Sequence, residues 1–132
     1  MDEERIQAHV QPAASSAQQH LLTFDLLPLL AFSEKGPQAQ LISESESARL
    51  VLFALRAGQE INEHHSPSQL LVQALDGSLV FSAQGQSITL RAGMILQLAA
   101  NIPHNVHATT DTLMLLTMTP SPAKAHQERD GR

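Results

Sequence analysis

The amino-acid sequence predicts an all-β fold, an antiparallel sandwich or barrel of short strands. Three observations carry this expectation. β-rich runs recur at intervals of about 8 to 12 residues, turn residues such as Asp76-Gly77 and Gly85 separate them, and the segment that competes as a helix, Leu21 to Leu30, is broken by Pro28.

Each element follows from the chain in order. Residues 1 to 20, rich in Gln, Ala and Ser, show no sustained period and are expected to form a flexible tail. In "LLTFDLLPLL", Leu21 to Leu30, the leucines suggest a helical stripe, but Pro28 breaks it, leaving a helical turn or an edge strand. "RLVLFALRAG" is a β-rich run closed by Gly58, and "QLLVQALDG" is another, whose Asp76-Gly77 signals a hairpin. "LVFSAQGQ" turns at Gly85 into "SITLRAG", where Ile88 and Leu90 alternate with Ser87, Thr89 and Arg91. "MILQLAA", "HNVHA" and "TLMLLTMT" complete the strands, with a loop at Asn101 to Pro103. From Pro120 and Pro122 onward a second flexible tail is expected, so the barrel domain is placed at residues 21–119.

Composition narrows the partners. The chain has 132 residues, the size of one domain. A formal net charge of -5 with 8 Lys+Arg argues against nucleic acid and against an anionic membrane surface. Aromatic residues are 3% of the chain, with no Trp or Tyr, which disfavours stacking platforms for bases or sugars. Without cysteine, any metal would rest on His, carboxylate or amide ligands. The acidic start "MDEER" is unlike a signal peptide, and Leu21 to Phe32 is too short and interrupted to span a bilayer, so a cytoplasmic location is expected.

Seven histidines remain as candidates for chemistry. His9, His20 and His126 fall in the expected tails and are read as solvent-exposed. The others lie in "GQEINEHHSPSQ", with His64 and His65, and in "NIPHNV" and its continuation, with His104 and His107. Gly58 is followed by five residues and His64, and Gly77 closes the next strand. Gly85 is followed by five residues and then Arg91-Ala92-Gly93, with Pro103-His104 downstream. From about Leu50 to Met118 this order of strands, glycines and histidines resembles a single-domain cupin, a double-stranded β-helix or jelly-roll barrel. The resemblance implies a divalent metal held by three histidines and a glutamate. Ser66 stands where the second histidine would be, Gln69 is the best match to the glutamate, and Ala108 replaces a downstream asparagine.

Alternation along strands can be applied without the family. If His64 points inward, so does Ser66, while His65 points out; His104 and Val106 share a face, and His107 takes the other. Beyond a bend at Ser66-Pro67-Ser68, Gln69, Leu71, Gln73 and Leu75 share one face. The expected metal ligands are therefore His64, His104 and Gln69, with Ser66 and Gln73 in the ligand pocket. Leu71, Leu75, Phe81, Leu96 and Val106 are expected as its largely aliphatic wall. Glu63 alternates away from His64, and Glu60 lies about 13 Å off along an extended strand, so neither replaces the missing acid.

Three readings follow. The first is a binding or sensing protein for a small molecule, with one divalent transition metal or none. Zn, Ni or Cu suits neutral imidazoles better than Mn or Fe does. The second is an isomerase or lyase in which His64 or His104 moves a proton next to a carbonyl. The third is a structural dimer with a vestigial pocket. A homodimer is what the resemblance implies, with Leu21 to Phe32 assigned to its interface or to closing the barrel.

Overall fold

The computed structural model describes residues 20–125. These form nine strands: β1 (Gln38–Glu44), β2 (Arg49–Leu55), β3 (Glu60–His64), β4 (Gln69–Asp76), β5 (Ser78–Ala83), β6 (Gln86–Arg91), β7 (Ile95–Leu98), β8 (His104–Ala108) and β9 (Thr112–Thr119). They build two antiparallel sheets, a five-stranded one ordered β1-β2-β9-β4-β7 and a four-stranded one ordered β3-β8-β5-β6. The expected all-β jelly-roll architecture is the architecture observed.

Period-two apolar patterning explains how the two sheets close on each other. Val51, Phe53 and Leu55 of β2, Leu70, Val72 and Ala74 of β4, and Met114, Leu116 and Met118 of β9 form one inner face. Ile61, Leu79, Phe81, Leu90, Val106 and Ala108 come from the facing sheet. Burying a side chain as large as Phe53 or Leu116 contributes about 1.5–3 kcal/mol, which makes this shared interior the main source of stability.

Several local expectations are corrected. Asp76-Gly77 does not make a hairpin, because β4 and β5 belong to different sheets. Gly77, with φ +81°, turns the chain sharply from one sheet to the other. The hairpin lies at β5–β6, where Gln84 (φ 54°) and Gly85 (φ 75°) are both left-handed, as a two-residue turn of the primed type needs. β1 was not expected at all. A register shift between Leu41 and Ser43 sends Leu41 into the core and buries Ile42 apart from it, so the strand shows no simple alternation.

Residues 21–32 form neither a helix nor a strand, and Leu26 accepts a hydrogen bond from Leu29 N–H in a single turn. The chain is then strapped to the barrel: the Gln59 amide donates to the Ser33 carbonyl at 2.7 Å, and the Arg56 guanidinium lies 5.9 Å above the Phe32 ring. At the other end the expected tail begins too early. Ser121 N–H donates to the Glu46 carbonyl, Ser121 and Ala125 are buried, and residues 122–125 form one helical turn. The remainder of both expected tails, with His9 and His126, lies outside the described residues; His20 is exposed. Among the described residues no helix is long and apolar enough to cross a membrane.

Candidate functional site

A β-bulge sets the direction of His64. On the β3–β8 ladder Ile61 pairs with Val106 and His64 with His104, so three steps on β3 match two on β8. Ile61 is in the core, and strict alternation from it would turn His64 outward; the extra residue turns it in. Glu63 is left exposed on the outer side, and Glu60 pairs with His107 at the far end of the strand. His104 follows Asn101, whose left-handed φ of 66° ends the loop entering β8. Asn101 N–H donates to the Ser66 carbonyl at 2.7 Å, which ties the loop leaving His64 to the loop entering His104.

The two imidazoles meet inside the four-stranded sheet. Their ring centroids are 4.4 Å apart at an interplanar angle of 58°. His104 is 1% exposed and His64 is half-buried, with its Nε2 atom buried. His64 Nδ1 lies 2.6 Å from the Asn62 carbonyl oxygen, and His104 Nδ1 lies 3.0 Å from that of Ile102. A carbonyl only accepts, so both Nδ1 atoms carry the proton and donate it. In the neutral rings, therefore, both Nε2 atoms hold the lone pair. Anchoring one ring nitrogen to fix the tautomer and orientation of the other is the arrangement found behind metal-ligating histidines.

The remaining expected ligands do not join this pair. Gln69 and Gln73 lie on the outer face of β4, because the purely apolar set Leu70, Val72 and Ala74 takes the inner face. The Gln69 amide donates to Thr119 Oγ1 at 3.4 Å, and Leu71 and Leu75 share the outer face with it. Ser66 is buried, but its Oγ accepts the Ser68 N–H and so shapes the loop. Phe81 and Val106 are inward as expected, Leu96 packs against the core, and His65 and His107 are exposed. Among the described residues no group of three or more His, Cys, Asp or Glu side chains could hold a metal ion.

The residue that sequence reasoning undervalued is Phe81. Its ring stacks on His104 with centroids 5.2 Å apart and planes 10° apart. Phe81 also lines a cavity of about 170 Å³ at the barrel mouth between β5, β6 and β7, together with Ala83, Ile88, Leu96 and Leu98. Three glutamines, Gln84, Gln86 and Gln97, complete the lining. A larger, open groove of about 620 Å³ runs between Glu63, Ser82, Ser87 and Asn105. It lies on the outer face of the same sheet, since these residues alternate with the inward His104 and Phe81, whereas the smaller cavity reaches His104 through the Phe81 ring.

Comparison with known proteins places this geometry in context. Residues 51–120 match the family model described as a cupin domain. A search of curated proteins found no match. Among solved structures, an RmlC-like cupin protein from Desulfovibrio desulfuricans is 31% identical, with a TM-score of 0.71 over 76% of this chain and 98% of that one. A protein from Thermus thermophilus is 27% identical, with a TM-score of 0.68 over 74% of this chain and 96% of that one. A conserved double-stranded β-helix protein from Klebsiella pneumoniae, 20% identical with a TM-score of 0.70 over 76% of this chain and 91% of that one, shares the fold.

Proposed function

The chain belongs to the cupin family, and from that premise we propose that it binds a small, largely apolar molecule in the barrel mouth. The observation that carries this reading is the mouth cavity, whose Phe81 wall stacks directly on His104. Five of its lining residues are apolar or aromatic, and the glutamine amides can orient one polar group of an occupant. Behind Phe81, the two Nε2 atoms have the character of hydrogen-bond acceptors. The reading is one of binding rather than turnover, at a location taken to be cytoplasmic and in a protein taken to act as a homodimer.

A second reading is favoured by the anchored tautomers, which present both Nε2 lone pairs as metal-ligating histidines do. His64 and His104 would supply two neutral ligands to a Zn, Ni or Cu ion. The donor set does not fit the three-histidine, one-glutamate centre that the resemblance implies, because Ser66 is committed to its loop and Gln69 faces away. Such an ion would bind weakly.

Nuclear magnetic resonance titration with benzene tests the first reading, since the ring is small enough for a space of about 170 Å³ and can contact its apolar wall. Shifts centred on Ile88, Leu96 and Phe81, lost when Leu96→Trp fills the space, support it. Shifts confined to the outer groove overturn it.

A further inference from the structure

We propose that Phe81 is a gate, the side chain that separates the mouth cavity from the histidine pair. Neither histidine lines the cavity, and His104 is 1% exposed. Two cavity-lining residues adjoin His104: Ala83, its partner across the β5–β8 ladder, and Phe81, whose ring stacks on the imidazole. Ala83 offers only a methyl group, so the barrier is the Phe81 ring.

Phe81 is 3% exposed and packed in the core, and only its β6 side gives it room to swing. On β5 it pairs with Val106 on one side and with Ile88 of β6 on the other. β6 is the edge of its sheet, and Ile88 is 42% exposed, so one neighbour of the ring faces solvent. Swinging the ring toward that side would join the cavity to the His104 imidazole, against which the His64 ring lies. An occupant that reaches the imidazoles must replace the lost stack on His104 and must donate, because both Nε2 atoms are acceptors. The gate therefore selects flat molecules that carry a hydrogen-bond donor at the leading edge, of the phenol type. This selection rests on the reading of the mouth as a binding cavity; the closure of the histidines by Phe81 does not.

The closure is tested by the rate at which diethyl pyrocarbonate modifies each histidine of the full chain, read by mass spectrometry. In wild type His104 should react far more slowly than the exposed His107. Phe81→Ala should raise the His104 rate relative to His107 by about tenfold or more, as expected when reaction no longer waits for a local opening. Phe81→Leu should raise it less. Leu52→Ala, which removes a fully buried side chain outside the core cluster that holds Phe81, should leave the ratio nearly unchanged and so controls for loss of stability. A wild-type His104 as reactive as His107, an unchanged ratio in Phe81→Ala, or an equal rise in Leu52→Ala overturns the gate. Selection is read by titration with phenol and benzene: Phe81→Ala should prefer phenol, and this preference should vanish on adding His104→Ala. No preference in Phe81→Ala overturns the selection. A wild type that takes up neither compound overturns the binding reading alone, while the modification rates still decide the gate.

Discussion

His64 and His104 stand opposite each other on the β3–β8 ladder, 4.4 Å between ring centroids, because a bulge adds one residue to β3. The bulge does for direction what no side chain at the site does: it converts an outward position into an inward one. Each imidazole is then oriented by a backbone carbonyl two residues earlier, Asn62 for His64 and Ile102 for His104. Backbone geometry thus sets the direction of the pair, and the Phe81 ring packs on His104 from the side.

Metal affinity follows from the donor count. Isothermal titration with Zn²⁺ or Cu²⁺ is expected to show weak binding at one ion per chain, lost in both His64→Ala and His104→Ala. One-to-one binding of unchanged strength in either variant would mean that the ion sits elsewhere, for instance at the exposed His107 and Glu60, whose Nδ1 and Oε1 are 3.8 Å apart.

A carboxylate placed inside should strengthen that binding only at the right position. Leu70, buried at the start of β4, is the first inward residue after the loop that leaves His64, whereas Gln69 faces out. Leu70→Glu should therefore raise divalent-metal affinity by orders of magnitude, while Gln69→Glu leaves it unchanged. Without metal, Leu70→Glu should lower stability, because a buried carboxyl lacks water, and added metal should restore it. Equal affinities for the two variants would contradict the assigned face of β4.

Ser68 couples the loop after His64 to the end of β9. It is fully buried, and its hydroxyl donates to the Pro120 carbonyl at 2.6 Å. Ser68→Ala leaves that carbonyl without its donor and should destabilise by about 1–3 kcal/mol in urea unfolding. A change within error would show that the loop relaxes to find another donor.

Gly77 separates backbone strain from collision. A Cβ there would strike the Asp111 carbonyl oxygen and approach Thr112 Oγ1 at 2.8 Å and Thr110 Oγ1 at 2.9 Å. At Gly58, with φ +89°, a Cβ would meet nothing within 4 Å. Gly58→Ala should therefore cost about 1–2 kcal/mol, the strain of a left-handed residue. Gly77→Ala should cost clearly more, and equal losses in thermal unfolding would remove the steric argument.

Much of the candidate site was legible for a simple reason. His104 and Val106 sit on a regular strand, where a period of two assigns faces correctly, and the same rule put His65 and His107 outside. For β4 the rule separated two faces but could not say which one is inner. Gln69 points to one face through the motif, whereas Leu70, Val72 and Ala74 form a face with no polar member, and that purely apolar set is the signal for the inner side. The inward turn of His64 has no signal in alternation and is legible only from the motif frame of Gly58 and His64, since a bulge is recognised by two strands paired out of step, and the partner strand is forty residues away.

The strand-rich class, most strand positions and the two histidines worth attention are readable from the chain, because alternation, turn residues and motif spacing are local properties. That Asp76-Gly77 crosses between sheets, that Gln69 faces away from the histidines, and that Phe81 stacks on His104 emerge with strand pairing. These depend on which strands pair and how the two faces meet, and pairing is set by the burial of the whole core rather than by any one segment.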